Sequence, residues 1–416
     1  MRIKPFKGLR PVAEYAARVA SRPYDVLDSD EARAEAKGNP WSFLNVVKPE
    51  ITLAADIDHY APEVYQAGRD NFRKLVDEGV FFQDRQDCLY IYELTMDGRS
   101  QTGIVACAAV EDYMQGKIKK HELTRPEKET DRKNHVRVSM LNAEPVFFAY
   151  KAVPELDGIV AGVTIAAPDY DFTADDDIHH RFWVVDNKDI INSIVGQFDR
   201  MAATYVADGH HRTAAAALVG HDLKNENPYH TGEEEYNYFL AVHFPDNQLA
   251  IFDYNRVIKD LNGQTPDALV QAITKSFDVN KIGKEPYKPR ELHEVGMYLD
   301  GSWYALKARP GTYDDDDPIG VLDVTILSEQ ILKPVLNIQD LRTDQGIDFV
   351  GGIRGLGELE RRVNSGEMAL AFAMYPVSMQ QLMDIADNDL IMPPKVTWFE
   401  PKLRSGLVVH SLEGWQ

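Results

Sequence analysis

Tyr205-Val206-Ala207-Asp208-Gly209-His210-His211-Arg212-Thr213-Ala214-Ala215-Ala216 is the stretch that decides how this chain is read. A short apolar strand, Thr204–Ala207, runs into Asp-Gly, and an alanine-rich helix opens at once, from about His210 to Val219. The first N–H groups of a helix lack intrahelical acceptors and carry partial positive charge, so they point outward at an anion. Gly209 permits the tight turn and a close backbone approach. Arg212 offers a planar fork that matches phosphate oxygens, and His210, His211 and Thr213 add donors. Cations in a first helical turn oppose the helix dipole, so His-His-Arg is unfavourable for the helix alone, and an anionic ligand relieves the conflict. A capped helix with surface histidines is the plainer alternative. A local rule broken at one spot favours a site.

Upstream, Pro11 to Ser21 reads as helix, and Ser21-Arg22-Pro23-Tyr24-Asp25-Val26 as an extended segment held open by its proline. A polar helix follows, with Ser29 as its cap. Residues 63–78 form an amphipathic helix. Strands at 88–94 and 103–109 are joined by Met96-Asp97-Gly98-Arg99, a hairpin signal. A charged helical stretch covers 110–134. Residues 144–151 and 158–166 read as extended, His180–Val185 as a strand, and 188–200 as a helix.

Downstream of the turn, residues 222–236 are polar and aperiodic, contain Pro228 and Gly232, and mark a domain boundary. Beyond them come strands at 237–244, 249–258 and 368–375, a hairpin at 296–307 turning on Asp300-Gly301, and helices at 265–276, 321–335, 355–364 and 377–387. Short strands mixed with helices argue α+β rather than a doubly wound parallel sheet. The expected domains are 1–228 and 229–416, the second a mixed-sheet α+β domain with a rigid basic tail. That tail, Pro393-Pro394-Lys395 and Pro401-Lys402-Leu403-Arg404, either supplies Lys395, Lys402 or Arg404 to an anionic ligand or is an exposed terminus.

The 45 basic and 66 acidic residues leave a net charge of −21. Such a surface repels nucleic acid and anionic membranes, so neither is expected as a partner. Cys88 and Cys107 lie in apolar runs and read as buried thiols; no zinc-site spacing exists, and no metal site is expected. Asp175-Asp176-Asp177 and Asp314–Asp317 lack the spaced ligands of a cation loop and read as solvated loops. Gly351-Gly352 and Gly355-Leu356-Gly357 lack the dinucleotide fingerprint. No apolar leader and no membrane-length apolar run is found, which points to a cytoplasmic location.

The Asp208-Gly209-His210-His211-Arg212 turn resembles the phosphate-binding turn of the ParB/sulfiredoxin superfamily, which includes free-serine kinases. Over nearly the whole chain the sequence is similar to the DUF1015 family. The resemblance includes Ser21–Val26, Lys119-Lys120-His121-Glu122, Lys128-Glu129-Thr130-Asp131-Arg132, Tyr254-Asn255-Arg256, Met392-Pro393-Pro394-Lys395 and Pro401–Gly406. It implies a ParB/sulfiredoxin-like N-terminal domain that binds nucleotide phosphates at Gly209–Arg212. It also implies ATP or ADP with Mg²⁺ as cofactor, and Asp208 and Asp25 as catalytic carboxylates. The kinases carry glutamate where Asp25 stands. Sulfiredoxin chemistry needs a cysteine in the turn, but position 210 is histidine. The helix-turn-helix of ParB proteins has no counterpart in a basic helix of residues 222–416.

The expected function is a nucleotide-dependent phosphotransferase acting on a small hydroxyl compound such as serine. The alternatives are a non-catalytic nucleotide-binding regulator and a nucleotide or phosphoester hydrolase. Tyr24, His121, Glu122, Arg132, His180, Arg181, Lys395 and Lys402 are candidate substrate or phosphate contacts. The charged stretch 117–133 reads either as a solvated helix or as a flap bringing Lys119, Lys120 and Arg132 to the ligand. His179-His180-Arg181 echoes the turn but starts a strand, without a helix dipole behind it. The sequence leaves the oligomeric state open; a homodimer is one arrangement it allows.

Overall fold

The structure, a computed structural model, describes residues 1–414. It is α+β, and its contacts divide into two compact units, Met1–Leu249 with the segment from Pro401 onward, and Ala250–Glu400.

The first unit is built on a nine-stranded mixed sheet. Its strands are β1 (Ile3–Lys4), β2 (Leu89–Met96), β3 (Arg99–Ala109), β4 (Ile118–Lys119), β5 (Val146–Tyr150), β6 (Tyr170–Thr173), β7 (His179–Val185), β8 (Thr204–Asp208) and β9 (Tyr238–Pro245). They run in the order β4-β8-β5-β9-β3-β2-β7-β6, with β1 beside β3. Two pairs, β8 with β4 and β9 with β5, are parallel. Alternate residues of the central strands, among them Leu89, Ile91, Ile104, Ala106, Phe148, Trp183 and Val206, feed one core. That alternation is the period-2 pattern of a strand with one face on the core.

The principal helices of this unit are α1 (Ser29–Ala36), α2 (Pro62–Asp77), α3 (Pro126–Ser139), α4 (Pro154–Val163), α5 (Lys188–Phe198) and α6 (His210–Glu226). Ile191, Ile194 and Phe198 of α5 and Ala216 and Ala217 of α6 cover the sheet core. A second core gathers Leu9, Val19, Phe43, Leu44, Phe72, Leu75 and Phe81 with Val409.

Several expectations move. Residues 158–166 are not extended, because Pro154 opens α4 and Ile159, Val160 and Val163 fall on one helical face against the core. Asp28, not Ser29, caps α1 through a capping box with Glu31, while the Ser29 hydroxyl donates to Glu50 at 2.8 Å. The charged stretch 110–134 divides into a helix at Val110–Met114, strand β4 and α3. Helix α6 passes Val219 and continues to Glu226, and Gly220 within it is a close-packing position: a Cβ there would lie 2.2 Å from the Tyr236 carbonyl oxygen. The division between units falls at Leu249/Ala250 rather than 228/229, because β9 is hydrogen-bonded into the first sheet between β5 and β3. The tail is also split, with Lys395 in the second unit and Lys402 and Arg404 in the first.

The second unit is a six-stranded antiparallel sheet, β11-β13-β12-β15-β10-β14. The strands are β10 (Tyr254–Ile258), β11 (Phe277–Gly283), β12 (Glu294–Leu299), β13 (Ser302–Ala308), β14 (Ile347–Gly351) and β15 (Leu370–Met374). The β12–β13 hairpin turns on Asp300-Gly301, as the sequence predicts. Val257, Trp303, Ala371 and Ala373 form its core with Leu359 of the helix Gly355–Asn364. Cys88 and Cys107 are buried and unpaired, as expected. Among the described residues no helix is long and apolar enough to cross a membrane.

Candidate functional site

The site is built where β8 meets α6. The β8–β5 register shifts between Val206 and Asp208, a bulge that re-aims the end of the strand. Gly209 follows in the left-handed region, with φ of 87° and ψ of 37°. Only glycine takes that conformation without strain, and a Cβ there would stand 3.2 Å from Arg212 Cζ. No side chain caps α6; its first backbone hydrogen bond runs from Thr213 N to Gly209 O at 2.8 Å.

Arg212 is buried, and its fork is turned inward. Nη1 donates to the Pro145 carbonyl at 3.0 Å, and Nη2 donates to Asp208 Oδ2 at 3.3 Å. Asp25 Oδ2 lies 3.6 Å from the same Nη2. Burial alone would lower the Arg212 pKa, but Asp25, Glu144 and Asp208 outweigh it and keep the guanidinium charged. Lys402 reaches Asp208 Oδ2 at 3.5 Å. Burial would raise the Asp208 carboxyl, yet Lys402 and Arg212 hold it below the ordinary carboxylate range. The Thr213 hydroxyl is fully buried and donates to Gly209 O at 3.0 Å. Arg212 thus positions two carboxylates, and Thr213 closes the first turn of the helix.

Behind Arg212 lies a second layer. The Arg132 guanidinium stacks 3.9 Å from the Tyr24 ring centroid, forks onto Asp131 and lies 3.7 Å from Glu144 Oε2. Glu144 Oε1 accepts from the Tyr24 backbone N–H at 3.1 Å and from the Ser405 hydroxyl at 3.4 Å. Burial pushes the Glu144 carboxyl up, against the pull of Arg212 and Arg132. The Tyr24 hydroxyl is likewise pushed up by burial. Arg132, Glu144 and Arg212 also line a cavity of about 50 Å³ walled by α2, α3 and α6.

His121, just past β4, packs edge-to-face on His210 with ring centroids 4.4 Å apart. Both rings are buried, and His210 Nδ1 lies 3.7 Å from Glu122 Oε2. Burial pushes His121 down to about 4, against the opposing field of Asp208, and holds His210 well below its usual value. His211 Nε2 accepts from the Arg125 backbone N–H at 3.0 Å, so it braces the start of α3.

The model of the family described as "Protein of unknown function (DUF1015)" matches residues 3–325. The chain belongs to the DUF1015 family. No curated protein matches it. Among solved structures, a free serine kinase in complex with AMP is 13% identical, with a TM-score of 0.36, over 73% of this chain and 91% of that one. A conserved hypothetical protein from Pyrococcus furiosus is 12% identical, with a TM-score of 0.35, over 74% and 95%. SbnI with a C-terminal truncation, from Staphylococcus aureus, is 11% identical, with a TM-score of 0.40, over 75% and 90%.

The remaining candidates of this DUF1015 chain have other surroundings. The His180 ring is 1% exposed, hydrogen-bonded to the Tyr92 hydroxyl at 2.8 Å and approached by Arg404 Nε at 3.4 Å. Arg181 pairs with Glu93 across the β7–β2 ladder, and Arg404 pairs with Asp176. These partners account for His180 and Arg181 without a ligand. Lys395 belongs to the second unit, where its ammonium lies 5.6 Å from the Tyr254 ring centroid and its carbonyl accepts from Arg256.

The sequence reading missed Glu144. Its only signal is an acid followed by proline at the entrance of the wholly buried strand Val146–Tyr150.

Proposed function

We propose that the first unit is a nucleotide-dependent phosphotransferase with a ParB/sulfiredoxin-like core, moving a phosphoryl group to a small hydroxyl compound such as serine. The observation that carries the reading is the meeting of Asp25 and Asp208 on Arg212 beside the uncapped start of α6. Phosphoryl transfer needs positioning and charge neutralisation more than covalent chemistry. The N–H groups of residues 209–212 hold terminal phosphate oxygens at the positive end of the helix. Two anionic carboxylates would repel a bare phosphate, but they are hard oxygen donors of the kind Mg²⁺ prefers. Asp208 would hold that ion, which would supply charge neutralisation to the phosphates of ATP or ADP. Lys402 and Arg212 hold Asp208 in its charged form. Asp25, the more exposed at 39%, accepts the proton of the acceptor hydroxyl.

Nucleotide as the phosphate carrier and serine as acceptor rest on the resemblance of the Asp208–Arg212 turn. The test offers purified protein ATP or ADP, Mg²⁺ and serine, with Asp25→Asn as control. Phosphoserine above the control supports the reading; its absence with each nucleotide overturns it. Tight nucleotide binding by calorimetry without product would indicate the regulator instead, and inorganic phosphate released without acceptor the hydrolase.

A further inference from the structure

We propose that His121, Glu122 and His210 form a site for a borderline divalent metal ion of the zinc type, distinct from the Mg²⁺ of the phosphotransfer reading. Each side chain offers one ligand atom, and these atoms all lie within 4.8 Å of one another. Two of them are already close, with 3.7 Å between His210 Nδ1 and Glu122 Oε2. Four ligands at zinc–nitrogen and zinc–oxygen distances of about 2.0–2.1 Å stand roughly 3.4 Å apart in a tetrahedron, so binding would draw the three side chains closer together. The Glu122 side chain is 43% exposed, which leaves a path for the ion.

The second observation is what burial has done to the imidazoles. His121 and His210 are 2% and 7% exposed, and His210 Nε2 and the ring nitrogens of His121 make no side-chain hydrogen bond among the described residues. A backbone hydrogen bond to Val206 accounts for one His121 nitrogen, and a metal ion would take one remaining nitrogen from each ring.

Two imidazoles and a carboxylate suit zinc and its neighbours, whereas Mg²⁺ and Ca²⁺ prefer oxygen donors alone. Three protein ligands leave a fourth position for water or a substrate oxygen. The sequence conceals the set because its members come from two segments, the Lys120-His121-Glu122 loop and the start of α6. The proposal does not depend on phosphotransfer, since it is read without nucleotide.

The full-length protein, stripped with chelator and dialysed, is titrated with Co²⁺ and with Zn²⁺. The expected result is one ion per chain and the visible absorption of four- or five-coordinate cobalt. His121→Ala abolishes this stoichiometric binding, and Glu122→Gln weakens it by about tenfold or more. Asp25→Asn, which removes the proposed phosphotransfer, leaves the stoichiometry at one ion per chain. No stoichiometric binding, or binding that both ligand variants retain unchanged, overturns the site. Should His121→Ala fail to fold, Glu122→Gln decides alone, because its side chain sits at the surface: unchanged affinity rejects the proposal and weakened affinity supports it.

Discussion

Asp25 and Asp208, far apart in the chain, share one nitrogen: Arg212 Nη2 lies 3.6 Å from Asp25 Oδ2 and 3.3 Å from Asp208 Oδ2. The other arm is fixed by the Pro145 carbonyl, so the guanidinium sets where both carboxylates stand. Removing one partner of a buried charge set leaves the rest uncompensated, at a cost of about 3–5 kcal/mol. Arg212→Ala is therefore expected to lose that much stability in urea unfolding. Arg212→Lys keeps the charge but cannot span Pro145 and two aspartates, so it should fold while phosphoserine formation falls about tenfold or more. An Arg212→Ala protein as stable as the parent would remove the positioning role.

Gly209 gives a separable test. Its φ of 87° is strained for any other residue, and its Cβ position is 3.2 Å from Arg212 Cζ. Gly38 has a φ of 78° with nothing within 4 Å. Gly38→Ala carries only the backbone term, about 1–2 kcal/mol. Gly209→Ala carries that term and displaces Arg212. Thermal melts should place Gly209→Ala clearly below Gly38→Ala, and only the former should lose activity; equal melts would mean that Arg212 moves aside freely.

The strand–turn–helix at 204–212 was legible because each part has its own local cause: an apolar strand, a glycine able to take positive φ, and alanines that pack closely. The direction of the Arg212 fork was not, since it depends on Pro145 and Asp25, which only the tertiary fold brings near. Helix α4 was misread because Ile159, Val160 and Val163 favour strands locally, and packing on the sheet overrode that preference. The place of β9 was hidden for a related reason: the polar stretch before it resembles a linker, while its pairing partners, β3 and β5, lie far upstream. Glu144 carried no pattern of its own. Lys402 was legible as part of a rigid basic tail, and the structure sets its ammonium against Asp208.

Asp208 itself separates folding from chemistry. Asp208→Asn keeps the oxygen that accepts from Arg212 but removes the charge between Lys402 and Arg212. Turnover should fall by about 100-fold or more, the scale of removing one preorganised electrostatic contact. The variant should bind nucleotide and melt within a few degrees of the parent. Unchanged kcat in a phosphoserine assay would exclude Asp208 from the reaction.

The last prediction concerns the second unit and the pH of its greatest stability. Asp323 is 4% exposed, and burial pushes its carboxyl up to about 7, with Glu294 adding to the rise. The His293 backbone N–H, donating at 2.8 Å, and Lys307 pull the other way without cancelling it. The facing His293 ring is itself kept neutral by burial, so it supplies no full countercharge near neutrality. In the unfolded chain Asp323 ionises near 4. Between these values the folded state binds the extra proton, so protonation favours folding. The contribution is fully present below about pH 4 and lost as pH rises through about 7, a swing on the order of 4 kcal/mol. Asp323→Asn keeps an acceptor for the His293 N–H and cannot ionise. Urea unfolding of the full chain from pH 4 to 8 should show the variant close to the parent at pH 4. By pH 8 the variant should be the more stable of the two, because the parent alone must then bury a carboxylate. Parallel pH profiles for the two proteins would show that Asp323 ionises in the folded unit as readily as in the unfolded chain.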